Sequence, residues 1–209
     1  MKDNKFKSFI LFWLSQSVSQ LGSSMTSFAL IIWAYKQTNS AMSVSLMTFF
    51  SYLPYIIISI FAGAFIDTHK KKKIMLWSDT IAAICSMTVW ILLFTGKLEI
   101  SYIYIVNSIN GFMNAFQSPA SSVAVGIMVP KDKYAKASGM NSFTSSLLTV
   151  VTPMLAAFIS SFGGLQAVIF IDLLTFAFAF VMLLLFIQLC LTSQEVSILF
   201  KFAIVQHVW

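Results

Sequence analysis

Two rows of side-chain amides lie inside stretches of sequence that are otherwise apolar. Asn107, Asn110, Asn114 and Gln117 follow one another at steps of 3, 4 and 3, with Ser121 four residues further on. Gln16, Gln20, Ser23 and Ser27 follow at steps of 4, 3 and 4. On a helix these steps put the side chains on one face. Each row is therefore a strip of hydrogen-bond donors and acceptors, suited to holding a ligand or water and not to breaking covalent bonds. Amides facing lipid or a dry seam are costly, so both strips are read as the lining of a cavity in preference to interhelical glue. Hydroxyl rows recur at Ser45, Thr48, Tyr52, Tyr55 and Ser59 and at Ser138, Ser142, Ser145, Thr149 and Thr152. Small hydroxyls allow close helix approach, so these rows read first as packing seams.

Asp172 stands about eight residues into the last long apolar stretch, roughly 12 Å along a helix. Two readings stay open. One is a protonatable carboxyl that couples movement to a proton; the other is a hydrogen-bonded acid that fixes packing. Asp79 follows the Lys70–Lys73 run closely and reads as an acid at a helix amino terminus, paired with those lysines. Covalent chemistry finds no support. His69 and His207 form no His-Glu-x-x-His pair, and no Gly-x-Ser-x-Gly turn or phosphate-binding Walker loop occurs. Cys85 and Cys190 lack metal-ligand spacing and read as packing residues. The sequence implies no enzyme and no bound cofactor or metal.

The elements that must position these residues are membrane-spanning helices. Hydrophobic residues make up 58% of the chain, charged residues only 10%, and the mean hydropathy is +0.86, a membrane composition. Apolar stretches fall at about 9–35, 42–66, 74–95, 100–128, 137–160 and 164–191, each long enough for the ~20 residues that cross a hydrocarbon core. In lipid only a helix satisfies the backbone of such a segment. The expected organisation is thus a short amino terminus (1–8), a six-helix all-α transmembrane domain (9–191) and a tail (192–209). The first stretch is too long and too polar at its centre for a signal peptide. Pro54, Pro119 and Pro153 fall within the second, fourth and fifth stretches and favour kinks.

The basic residues set the orientation. All are lysine, and the net charge is +6. Lys2, Lys5, Lys7, Lys70–Lys73, Lys131, Lys133 and Lys136 fall on one side of the expected bundle, against Lys36 and Lys97 on the other. Short lysine-rich loops stay inside, so both termini are expected in the cytoplasm. Without arginine, and with lysines clustered between apolar runs, nucleic-acid binding is not implied. The third and sixth stretches carry no polar stripe and are expected at the periphery.

The loop Gly63-Ala64-Phe65-Ile66-Asp67-Thr68-His69-Lys70-Lys71-Lys72-Lys73 resembles the Gly-x-x-x-Asp-Arg-x-Gly-Arg-Arg-Lys signature of the major facilitator superfamily, with Gly63, Asp67, Lys72 and Lys73 matching. There Gly63 would permit close helix approach, while Asp67 and the lysines would form a cytoplasmic charge cluster. Tyr52-Leu53-Pro54-Tyr55, Lys72-Lys73-Ile74-Met75 with Asp79, Ala115-Phe116-Gln117-Ser118-Pro119-Ala120 and Ile171-Asp172-Leu173 are similar to the drug:proton antiporter branch that includes macrolide efflux proteins. The resemblance runs from about residue 10 to 190.

It implies the amino-terminal half of that fold, a 3+3 inverted repeat, in a cell membrane such as the bacterial plasma membrane. Its partners would be the bilayer, a small amphipathic drug, protons, and a carboxy-terminal six-helix half or a second copy. Helices one and four would line the cavity and helices three and six lie outside it. Asn107 stands where the family often has arginine, Ser23 where relatives often carry an acid, and Thr152-Pro153-x-x-x-Ala157 where antiporters have Gly-Pro-x-x-x-Gly. More of the proton coupling then falls to Asp172. Because one half leaves its polar stripes without a partner surface, truncation is expected. The tail is either an interfacial helix or out-of-frame sequence. A non-transporting fragment or partner-binding subunit is the alternative.

Overall fold

A computed structural model describes the backbone of residues 2–68 and 71–206. Side chains are described at 6, at 9–63 and across 65–182, except at 67–72, 124, 127, 128 and 131. Among the described residues the chain is helical and has no strand. The helices are α1 (Lys2–Thr38), α2 (Ala41–Thr68), α3 (Lys71–Phe94) and α4 (Ile100–Met128), then a short 3-10 turn (Lys131–Lys133) and the run Tyr134–Gln206. That last run is broken at Gly164, whose φ of 64° and ψ of −167° are not helical. Its two arms are numbered here α5 (134–163) and α6 (165–206).

The break is a reversal. Ala156 on α5 and Val168 on α6 are buried in one cluster with Met25 and Ala29 of α1, although a straight helix would hold residues twelve apart at about 18 Å. Only glycine adopts such a φ without a steric penalty. The other connections follow local chemistry as well. Gly96 (φ 68°) ends α3, with Lys97 N–H donating to Leu92 O at 2.9 Å and Gly96 N–H to Leu93 O at 3.2 Å, the paired bonds of a Schellman turn. After α4, Val129 N–H still reaches Val125 O at 2.9 Å, and Pro130 then supplies no donor to extend the helix.

Apolar clusters join the helices. The largest draws on Leu30 and Ala34 (α1), Met47 (α2), Cys85 and Val89 (α3), Ile103 and Val106 (α4) and Ile169 (α6). A second joins Phe12, Ala62, Ile66, Ile74, Met75 and Ala120, and a third sets Phe6 and Phe9 against Val129 and Ala137. Within this frame α1 packs chiefly on the α5–α6 hairpin and α2 on α4. The α2–α4 crossing is close. A Cβ on Gly111 would stand 2.0 Å from the backbone oxygen of Ser51, so only glycine fits. A Cβ on Gly22 of α1 would stand 2.2 Å from Thr175 Oγ1 of α6.

The outer surface is apolar. Phe49, Ile56, Ile60 and Phe61 of α2 and Phe143, Val150, Met154 and Phe158 of α5 are all at least half exposed. A soluble protein does not carry so continuous an apolar coat, and the molecule is a membrane protein with multiple spans. By length and composition, Ala41–Gly63, Lys73–Phe94 and Tyr134–Met182 are apolar enough to cross a membrane. The last is 49 residues, roughly twice what one crossing requires, and it contains the Gly164 reversal. α1 and α4 are 37 and 29 residues long but are diluted by their own amides and hydroxyls. The backbone of 192–206 continues α6 as helix. Its side chains lie outside the described residues, as does any structure of 207–209.

Candidate functional site

A cavity of about 710 Å³ opens between the helices. Gln16 and Gln20 of α1 and Asn107, Asn110, Asn114 and Gln117 of α4 all line it, so the two amide rows share one space. Each row turns to the cavity while the opposite face of its helix is apolar. On α1 that face carries the buried Met25 and Ala29; on α4 it carries Ile105, Ile109 and Phe112, which are exposed on the apolar outer surface.

Two polar atoms on the wall have no partner in the protein. Asn110 Oδ1 and the indole nitrogen of Trp13 are buried and make no hydrogen bond. Buried polar atoms left unpaired cost about 1–3 kcal/mol each, so the two give the cavity a surface ready for water or a polar ligand. Asn107 differs from its neighbours, because its Nδ2 donates to Met47 O on α2 at 3.4 Å and so also ties two helices.

Two carboxyls face the same space. Gln117 Nε2 donates to Asp79 Oδ1, and Gln16 lies beside that carboxyl from the α1 side. Asp172 is 2% exposed. Ser23 Oγ of α1 donates to its Oδ1 at 3.0 Å and Ser86 Oγ of α3 to its Oδ2 at 3.1 Å. Asp79 and Asp172 are the only charged side chains on the cavity wall among the described residues.

This arrangement corrects the expectations for α3, α6 and Gly63. α3 and α6 are not peripheral, since each sends an acid into the cavity. On α3, Asp79, Ala82, Ser86 and Val89 all line it at steps of 3, 4 and 3, a face made inconspicuous in the sequence by two apolar members. Asp79 meets Gln117 of α4, while the side chains of Lys70, Lys71 and Lys72, its expected partners, lie outside the described residues. Gly63, read as a point of close helix approach, is exposed, and a Cβ there would meet nothing within 4 Å. The close approaches are at Gly22 and Gly111 instead.

Of the other signature residues, Lys73 is exposed, while the side chains of Asp67 and Lys72 lie outside the described residues. The hydroxyl rows divide. Tyr55 and Ser145 line the cavity, joined by Ser51, Asn141 and Thr144, which fall outside those rows. Ser45, Thr48 and Ser59 are not packing seams. They are on the exposed side of α2 and donate to carbonyls of their own helix. Trp13 was legible only as a step of three before Gln16, an apolar-looking residue in phase with the amides.

A family model described as Major Facilitator Superfamily matches residues 12–195. Macrolide efflux protein A of Streptococcus pyogenes is 32% identical over 174 residues, which are 83% of this chain and 43% of that protein. Macrolide efflux protein A of Enterococcus faecalis is 33% identical over 135 residues, 65% of this chain and 42% of its own length. An uncharacterized MFS-type transporter of Bacillus subtilis, YkuC, is 25% identical over 173 residues, covering 82% and 40%. The chain thus spans less than half the length of these curated relatives. No solved structure matches it.

Proposed function

This chain belongs to the Major Facilitator Superfamily, and we propose that it forms the six-span, cavity-bearing half of a secondary transporter that extrudes amphipathic compounds such as macrolides. The spans are α1 to α6, and the lysine distribution orients both termini to the cytoplasm. The observation that carries the reading is the meeting of the α1 and α4 amide rows around one cavity of about 710 Å³, a volume typical of sites for drug-sized ligands. Gln16, Gln20, Asn110, Asn114 and Gln117 supply adaptable hydrogen bonds, with Asn107 contributing from the α2 side. Trp13, Tyr55 and Phe176 on the same wall offer apolar and aromatic surface. The names of the Streptococcus and Enterococcus relatives suggest the substrate.

Transport in this superfamily's architecture rocks one six-helix half against another around a central site. The second half is a carboxy-terminal unit or another copy of this chain. Gly63, Asp67, Lys72 and Lys73 form the cytoplasmic signature whose charges remake as the halves rock. Asp172 is the candidate to take up the coupling proton, because it is the most buried acid on the cavity wall.

The test is reconstitution of the chain in proteoliposomes, with and without a separately supplied carboxy-terminal half from a macrolide-exporting relative. Macrolide-dependent proton flux is expected in one arrangement, reduced at least tenfold by Asp172→Asn. Flux in neither arrangement, from protein that retains its helical content, refutes the transporter reading.

A further inference from the structure

We propose that Lys133 and Lys136, where α5 begins, hold the phosphate of an anionic phospholipid whose acyl chains lie along the outer face of the same helix. The inference rests on the membrane location of the chain alone and not on the transporter reading. Both ammoniums stand over a single aromatic ring, that of Phe6 on α1, at 4.6 Å and 5.5 Å from its centroid. No more than about 10 Å therefore separates them, a screening length at about 0.1 M salt. Two like charges this close repel, and an anion between them relieves the repulsion.

The pair differs from two loose surface lysines. Phe6 is 7% exposed and packs with Phe9 against Val129 and Ala137, so the ring is held by α1, the end of α4 and the start of α5 together. A cation over a ring face is attracted to it. Part of the rotamer freedom that a lysine loses on gripping a ligand is thus lost in advance. The heads stay accessible, since Lys136 is exposed and Lys133 half-buried. Local acids are too few to offset them. The first turn of α5 carries none, and Asp132, itself exposed, is the one acid between 129 and 140 against Lys131, Lys133 and Lys136.

The neighbouring residues select a lipid over a free anion. Lys136, Met140, Phe143, Leu147, Val150 and Met154 follow at steps of 4, 3, 4, 3 and 4, which is one face of α5. Phe143, Leu147, Val150 and Met154 are all exposed. Lys136 and Phe143 are two turns apart, roughly 10 Å along the axis, so a phosphate at the first leaves its acyl chains against the second. Tyr134 marks the level of the interface. It is exposed, and its hydroxyl donates to Gly126 O of α4 at 2.6 Å, an aromatic body with a polar tip of the kind that gathers where headgroups meet hydrocarbon. Ammoniums and apolar stripe thus follow one another along the helix in the order of a phospholipid's own parts. A soluble phosphate would use the first and leave the second uncovered. A choline headgroup brings its own cation to the lysines and gains little, whereas a lipid of net negative charge gains from both.

The experiment is native mass spectrometry of the purified full chain, titrated in detergent with phosphatidylglycerol or with phosphatidylcholine of identical acyl chains. At about fivefold per lysine near a membrane surface, the first phosphatidylglycerol should bind about 25-fold more tightly than phosphatidylcholine. Lys133→Gln combined with Lys136→Gln should remove that preference. Phe6→Leu keeps both lysines and should lower it about threefold, the loss of an exposed cation–π contact. Lys36→Gln combined with Lys97→Gln removes the same charge from the other end of the bundle and should leave the preference in place, with helical content unchanged in every variant. Equal affinity of the parent for the two lipids overturns the proposal, as does discrimination like the parent's in the Lys133 and Lys136 double variant or in Phe6→Leu. An equal loss in the Lys36 and Lys97 double variant reduces the preference to net charge and overturns the site. Displacement of the bound lipid by inorganic phosphate at the same concentration overturns the assignment to a lipid.

Discussion

Replacing Gly111 by alanine tests the closest approach of a helix to a glycine among the described residues. The new Cβ would start 2.0 Å from Ser51 O and 3.0 Å from Ser51 C. An unstrained carbon–oxygen contact is near 3.3 Å, so α2 and α4 must separate locally by over an ångström. The obstacle is backbone, and no rotamer change relieves it. Overpacking of this kind costs about 1–3 kcal/mol. The neighbouring bond from Asn107 to Met47 O is already 3.4 Å long and would break, adding about 0.5–1.5 kcal/mol. The same change at Gly63 meets nothing within 4 Å and removes the helix penalty of glycine, worth up to about 1 kcal/mol in favour of alanine. At about 2–4 °C per kcal/mol for a chain of this size, Gly111→Ala should lower the melting temperature by about 3–18 °C, while Gly63→Ala leaves it unchanged or raises it. Thermal melts followed by circular dichroism in one detergent measure both. Equal losses in the two variants, or none at Gly111, would refute the packing argument.

Gln117 and Asp79 should prove coupled. In a double-mutant cycle of Gln117→Leu with Asp79→Leu, read by the same melts, a coupling of about 1–3 kcal/mol is expected from a charge-assisted bond. Additive losses would mean that the pair does not interact. Trp13→Phe removes an indole N–H that bonds nothing in the protein, so stability should move little while macrolide binding, measured by tryptophan quenching or equilibrium dialysis, weakens severalfold; unchanged affinity would take Trp13 out of the ligand site. Gly22→Ala should drive its Cβ into Thr175 and Asp172 and reduce coupled flux at least tenfold, and flux equal to the parent would show that α1 and α6 can separate there. A cysteine at Ser138 should react with an impermeant thiol reagent only from the cytoplasmic side of oriented vesicles, and labelling from outside would reverse the topology.

The amide rows were legible because they repeat. Four amides at steps of 3 and 4 fix the phase of α4, and the apolar residues between them mark the face turned away from the cavity, so the inward direction of Asn110, Asn114 and Gln117 could be read without coordinates. The boundary between α5 and α6 was legible for a different reason. Gly163-Gly164 interrupts an apolar run too long for one crossing, and a positive φ at such a point is cheapest for glycine. Gly63 shows how the same residue type misleads. Glycine near a helix end can serve close approach or simply sit on an open surface, and only the position of the neighbouring helix separates the two. Asn107 carries both roles at once, since its stripe leads to the cavity while its amide nitrogen reaches the α2 backbone.

The acids were illegible in direction because neither belongs to a repeating polar stripe that would give a phase to read. Asp172 stands alone among hydrophobic neighbours and Asp79 lies between Ser78 and Thr80, which adjoin it on the chain but share no helix face with it, and such a carboxyl can satisfy itself from any side that offers a donor. What decides the matter is supplied by other helices. Asp172 turns inward because Ser23 and Ser86 meet it there, and Asp79 because Gln117 does. Ser23 is the position at which the family resemblance leads one to expect an acid on α1. Its hydroxyl instead touches the carboxyl that α6 provides, so the acid stands across the α1–α6 contact, contributed by the neighbouring helix. The small residues around it make this possible, with Gly22 letting the two backbones close until a serine oxygen and a carboxylate oxygen meet. Charge in this bundle is therefore set by which helices pack together.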